Sequence, residues 1–138
     1  MNKTYRVILI NPEDRSIREL QASATLDNIH ELVGAEVLGH FGVALFEDTG
    51  QMDTGWVDDG GLSRGEPVQA FLFPRTKDPI AGRCLIVGAD RHGVTCDCRM
   101  PIEILRQDVT WLGKIVPEVT WDHTEQGSQA IVTYSRVT

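Results

Sequence analysis

"GADRHGVTCDCRMP", Gly88 to Pro101, joins two extended runs through a short polar turn. Upstream lies "RCLIVGA", Arg83 to Ala89, the most apolar run of the chain, and downstream "VTCDCRM", Val94 to Met100. Asp, His and Gly at the join are turn residues, and two apolar runs across so short a loop read as an antiparallel hairpin. Side chains alternate faces along a strand. Val94, Cys96, Cys98 and Met100 then share an apolar face, and Thr95, Asp97 and Arg99 a polar one. The two cysteines are expected to pack inward as small hydrophobic residues. His92 is expected in the turn, pointing outward. Whether Cys84 joins them depends on the loop. A three-residue "RHG" loop with left-handed Gly93 and a bulge brings Cys84 onto the same face; two or four residues turn it away. Chelation and redox chemistry are the alternatives. The spacing is neither the paired C-x₂₋₄-C of zinc sites nor the C-x-x-C of thioredoxin-like motifs.

Outward from the hairpin, other short runs repeat the pattern. Tyr5 to Ile10 is β-branched and nearly all apolar, as a strand covered on both faces would be. "NPEDRS" is a turn, and Ile17 to Gln21 can return as a strand. In "SATLDNIHELVGA", Thr25 is a candidate N-cap and Asp27 favours the first turn of a helix. Leu26, Ile29, Leu32 and Val33 form one face, and Gly34 ends the helix. "AEVLGHFGVALFEDTGQ" reads as two strands about a turn near Gly39 to Gly42, with "EDTGQMDTG" as a second turn and "WVDDGGL" as a brief strand entering an acidic loop. "PVQAFLF" is a strand and "PRTKDP" a loop. Pro101 suits a helix start, and Ile102, Leu105, Val109 and Leu112 give a helical stripe that Gly113 stops. Trp111, following that stripe, is expected in the core. "EVTWD" and "QAIVTYSRV" form a closing hairpin around "HTEQGS".

These elements predict one α+β domain over residues 1–138, a largely antiparallel sheet of about eight or nine short strands with two short helices. At 138 residues, 41% hydrophobic and 24% charged, the chain is an ordinary globular one. Its net charge of −7 argues against general binding to nucleic acid, which needs clustered Lys and Arg. No run has the ~20 apolar residues needed to span a bilayer, so no membrane role is expected. The N-terminus reads as a strand and not a signal peptide. With three cysteines that cannot all pair, this points to a reducing cytoplasm.

Of the chemistry-bearing residues, Asp53, Trp56, Asp58 and Asp59 cluster around the acidic loop and are the candidate ligand-binding set. The carboxylates can hold a cation or a polar ligand, and an exposed indole can stack on a base or a side chain. The EF-hand spacing fails, however, and Asp and Gly are also what turns prefer. No phosphate loop and no local triad signature occurs. No catalytic residue, metal ligand or cofactor is assigned.

The chain resembles a family of small bacteriophage and prophage proteins known as a domain of unknown function. The likeness lies in "YRVILINPEDRSIREL", "LDNIHELVGA", "WVDDGGL", "PIAGRCLIVGADRHG" and "IEILRQDVTWL", over roughly residues 4–112. Residues 114–138 look like a C-terminal β-hairpin extension. The resemblance implies a phage or mobile-element accessory protein acting in the cytoplasm of the bacterial host cell, and brings no catalytic residues with it. Three functional expectations follow: a non-enzymatic binding module for a small molecule or a host protein, with a role in countering host defence; a metal-dependent enzyme on a phosphorylated or nucleotide-like substrate, using Asp58 and Asp59; or a self-assembling protein, a homo-oligomer paired through a strand edge.

Overall fold

A computed structural model describes residues 3–137. In chain order the elements are β1 (Tyr5–Asn11), β2 (Ser16–Ala22), α1 (Leu26–Val33), β3 (Leu38–Phe46), β4 (Gln51–Asp58), β5 (Val68–Leu72), β6 (Ile80–Ala81), β7 (Cys84–Ala89), β8 (Thr95–Cys96), α2 (Ile102–Asp108), β9 (Thr110–Thr124) and β10 (Gly127–Arg136). All strand pairs are antiparallel. One sheet runs β2-β1-β7-β4-β3 with β8 also on β7, and the other β10-β9-β5-β6. The α+β class with two short helices holds, and the described residues form ten strands.

The two-faced strand at the start lies inside the larger sheet, between β2 and β7. Ile8 and Ile10 face the second sheet and, with Ile86 of β7, pack in one core with Phe71, Phe73 and Leu105 of α2. Val7 faces the other way, with Leu85 and Val87, against Ile29 and Val33 of α1. Burying apolar area on both faces is what makes β1 and β7 read as continuous apolar runs, since each buried Ile or Leu contributes about 1.5–3 kcal/mol. The helix α1 begins as expected: the Thr25 hydroxyl accepts from the Asn28 N–H at 3.3 Å, and Gly34 closes the helix at φ 77°. Leu26 is exposed and takes no part in that packing.

Three segments differ from the sequence reading. The expected turn at Gly39 to Gly42 lies within a single strand, β3, which bulges between Gly42 and Ala44. These glycines make room instead of turning: a Cβ on Gly39 would sit 2.9 Å from Asp59 Oδ1, and one on Gly42 3.3 Å from Met52 Sδ. Likewise "QMDTG" is not a turn but the first half of β4. The second helix stops at Asp108. Val109 is extended (φ −77°, ψ 128°), and Trp111 and Leu112 belong to β9. Gly113, at φ 72°, sits at the register shift where β9 meets β5. Trp111 is half-buried and meets the Phe71 ring edge-on at 6.0 Å.

Strand β9 runs unbroken through Lys114. It pairs with β5 as far as Ile115 opposite Val68. Beyond that point its neighbour is β10 alone, in unbroken register from Ile115–Arg136 to Thr124–Gly127. The outer part of this hairpin is exposed and forms an arm at the edge of the smaller sheet.

Candidate functional site

The hairpin that opened the sequence argument has the three-residue loop. Asp90 N–H donates to Val94 O at 2.8 Å, and Gly93 is left-handed at φ 79°. Gly88 then faces Cys96, and Cys84 joins the same side through its pairing with Ile10. Cys98 is buried in the inter-sheet core, as expected, and Cys84, which the sequence left open, is buried beside it. Contrary to the expectation that both would pack inward, Cys96 is only half-buried and Val94 is exposed at the end of the two-residue strand β8. His92 is exposed in the turn.

From Asp97 to Met100 the chain leaves the β7 ladder; the Cys98 N–H donates to Arg6 O of β1 at 3.0 Å, and side chains satisfy most of the remaining backbone groups. Asp53 Oδ2 accepts the N–H groups of Arg99 and Met100, each at 2.8 Å. Its Oδ1 accepts Gln51 Nε2 at 3.0 Å, and that same nitrogen donates to Asp97 O at 2.8 Å. From the other side Arg6 Nη1 donates to Cys98 O at 2.8 Å and Met100 O at 3.1 Å. Buried backbone groups must find partners, so this clasp is what allows a non-strand segment to lie in the core. Asp53 has 0% exposure and touches no solvent. Gly88 belongs to the same arrangement, because a Cβ there would lie 2.8 Å from the carbonyl oxygens of both Cys96 and Asp97.

The four candidate ligand-binding residues do not form one constellation. Asp53 is enclosed in the clasp. Trp56 faces the α1 side of the sheet, packed with Leu38 and Leu85 and tilted against His40 at 5.2 Å. It lines a cleft of about 250 Å³ together with Ile29 and Thr95. Asp58 and Asp59 line a different cleft, of about 260 Å³, with Phe41, Lys77 and Asp78. Asp58 is held there by both guanidinium nitrogens of Arg64, one of them at 3.0 Å, and by the Gly60 N–H at 3.1 Å. The Arg64 hydrogen bonds hold the Asp58 carboxyl below the ordinary carboxylate range. A cation there would have to displace Arg64. Among the described residues, no group of three His, Cys, Asp or Glu side chains is arranged to hold a metal ion.

The thiols are equally committed. Burial pushes Cys84 up to about 12. Burial does the same to Cys98, up to about 12, despite Arg6 beside it. Cys96 is raised as well, by burial and then by Asp90, Asp53 and Asp97. A thiol is a nucleophile only as thiolate, so none of the three is activated at neutral pH. Of the histidines, His30 Nδ1 lies 2.8 Å from Ala35 O. His123 Nδ1 lies 2.7 Å from Ser128 Oγ, an exposed cross-strand pair on the arm.

The exposed apolar face of the arm is the feature that sequence reasoning missed. Its register puts Val119, Trp121, Ala130, Val132 and Tyr134 on one face, with His123 and Ser128 towards the turn, and Glu118, Thr120, Asp122, Gln129 and Thr133 on the other, with Ile131 as the one large apolar residue there. Trp121 is 62% exposed and Tyr134 38%. The alternation in "EVTWD" and "QAIVTY" carries this signal, but nothing local says whether the apolar face is covered. No helix among the described residues is long and apolar enough to cross a membrane. The protein is thus an α+β domain of two antiparallel sheets with an exposed hairpin arm. Comparison of the chain with protein-family models, curated proteins and solved structures finds no match in any of the three.

Proposed function

We propose that this chain is a non-enzymatic accessory protein of a phage or mobile element, a small binding module in the bacterial cytoplasm whose docking element is the β9–β10 arm. The observation that carries it is Trp121, 62% exposed on a mainly apolar face of the arm. Tryptophan and tyrosine are the residues on which protein interfaces concentrate their binding energy. Groups capable of chemistry are meanwhile withdrawn: the thiols are protonated, Asp53 is enclosed and Asp58 is paired. The phage origin and the host-cell setting rest on the sequence resemblance. The metal-dependent alternative would require Asp58 to exchange Arg64 for a cation.

The test is quantitative affinity capture from bacterial lysate with the wild-type chain and with Trp121→Ser/Tyr134→Ser. The expected result is a protein enriched by the wild type and lost with the variant, at an unchanged melting temperature. Equal capture by both forms, or binding of a small ligand at the Asp58–Asp59 cleft that is indifferent to the arm, would count against it.

A further inference from the structure

The arm has an edge as well as a face. In a hairpin with the two-residue turn Glu125–Gln126, the flanking residues Thr124 and Gly127 form a hydrogen-bonded pair, and bonding alternates from there. Odd-numbered residues of β10 therefore bond inward to β9. The Val137 N–H, donated to Lys114 O at 2.9 Å, follows the same parity. The N–H and C=O groups of Ser128, Ala130, Val132, Tyr134 and Arg136 point outward, along an edge with no neighbouring strand among the described residues.

Exposed edges invite pairing, and proteins blunt them with charges, proline, bulges, short strands or a covering element. Three edges here are treated so. Strand β2 carries Arg18 and Glu19, and Arg106 of α2 reaches its Ile17 carbonyl at 3.3 Å. Strand β3 is bulged, and β6 is two residues long. Strand β10 is far less protected: its one charge is Arg136 at the end, Gly127 to Ser135 contains no charge and no proline, and its register is unbroken.

We infer that β10 pairs antiparallel with β10 of a second copy of this chain, about a two-fold axis at Val132, making one continuous sheet through both arms. This rests on the arm being the docking element and names the first partner that it takes. The edge is self-complementary. Centred on Val132, outward-facing residues meet outward-facing residues, so each pair exchanges two hydrogen bonds. Tyr134 then lies beside Ala130 of the second copy, a large side chain against a small one, and Arg136 beside Ser128. No like charges meet. The net charge of −7 on each chain is screened over about 8 Å at physiological ionic strength, and β10 contributes only Arg136 to the contact. The axis is perpendicular to the sheet, so the two Trp121 faces lie on the same side and present one doubled apolar surface.

Light scattering on the full chain, from about 1 to 100 µM, tests this across the affinities of small interfaces. The expected mass rises to twice that of one chain. Val132→Pro removes an outward N–H that the monomer does not use, and should leave a folded monomer over the whole range. Ala130→Lys/Tyr134→Lys sets like charges opposite one another across the axis and should also be monomeric. Ala130→Lys/Tyr134→Glu sets opposite charges there and should restore the dimer. These surface changes keep the test valid if the proline variant unfolds. A wild type that stays monomeric throughout overturns the inference and leaves the edge to a foreign strand. A dimer that is equally strong in both charge variants overturns it too. A monomeric wild type that still loses its captured protein with Trp121→Ser/Tyr134→Ser defeats the self-pairing alone. A dimer without arm-dependent capture defeats the docking function alone.

Discussion

Asp53 holds the Cys98 segment in place, and removing its carboxyl should show how much that costs. In Asp53→Ala, the N–H groups of Arg99 and Met100 lose their partner in a site with no exposure, and Gln51 keeps only Asp97 O. A buried donor left unsatisfied costs about 1–3 kcal/mol, so the two amides together imply a loss of about 2–6 kcal/mol. That is a substantial part of the roughly 5–15 kcal/mol that stabilises a typical domain. Asp53→Asn should be milder, at about 1–3 kcal/mol, because one oxygen can still accept both amides. Its new NH₂ would face the Gln51 NH₂, and Gln51 cannot turn over without setting its oxygen against Asp97 O. Urea unfolding, at an unchanged m-value, measures both variants. An alanine variant within about 1 kcal/mol of wild type would refute the clasp, as would asparagine costing more than alanine.

Two further outcomes follow from the same region. Gly88→Ala should destabilise by about 1–3 kcal/mol, read as a lower urea midpoint, because the new methyl meets backbone oxygens that cannot swing aside. In the native protein Cys84 and Cys98 should resist alkylation at neutral pH, with all three thiols reacting once urea unfolds the chain. Their folded values, about 12, lie above the ordinary thiol value of 9.0. The stability they contribute is therefore complete below about pH 9 and is lost as the pH rises toward 12, so the melting temperature should fall across that window.

Legibility in the sequence depended on how local each cause was. The turn at Arg91 to Gly93, the Thr25 cap and the two-faced β1 were readable because period, cap and left-handed glycine act within a few residues. Strand β3 was misread because Gly39 and Gly42 look like turn residues when their role is to admit Asp59 and Met52. The second helix was overextended because Val109 and Leu112 are buried whether the backbone is helical or extended, so the stripe persists past Asp108. Asp53 was noticed as a ligand candidate, but its partners, Arg99 and Met100, are distant in sequence and are backbone amides, which carry no residue-type signal. The arm was readable as a hairpin, but its bare apolar face was not. Coverage of Trp121 is a property of what packs above it.

Residue-resolved hydrogen exchange on β10, at low and high protein concentration, reports most directly on whether the free binding capacity lies in the arm. Ile131 and Thr133, bonded to β9, should be protected at both concentrations. Ala130, Val132 and Tyr134 should exchange freely in dilute solution and become protected as the concentration rises. Unprotected Ile131 and Thr133 would mean that the arm is not a formed hairpin, and Ala130, Val132 and Tyr134 staying equally fast at every concentration would mean that its edge does not pair.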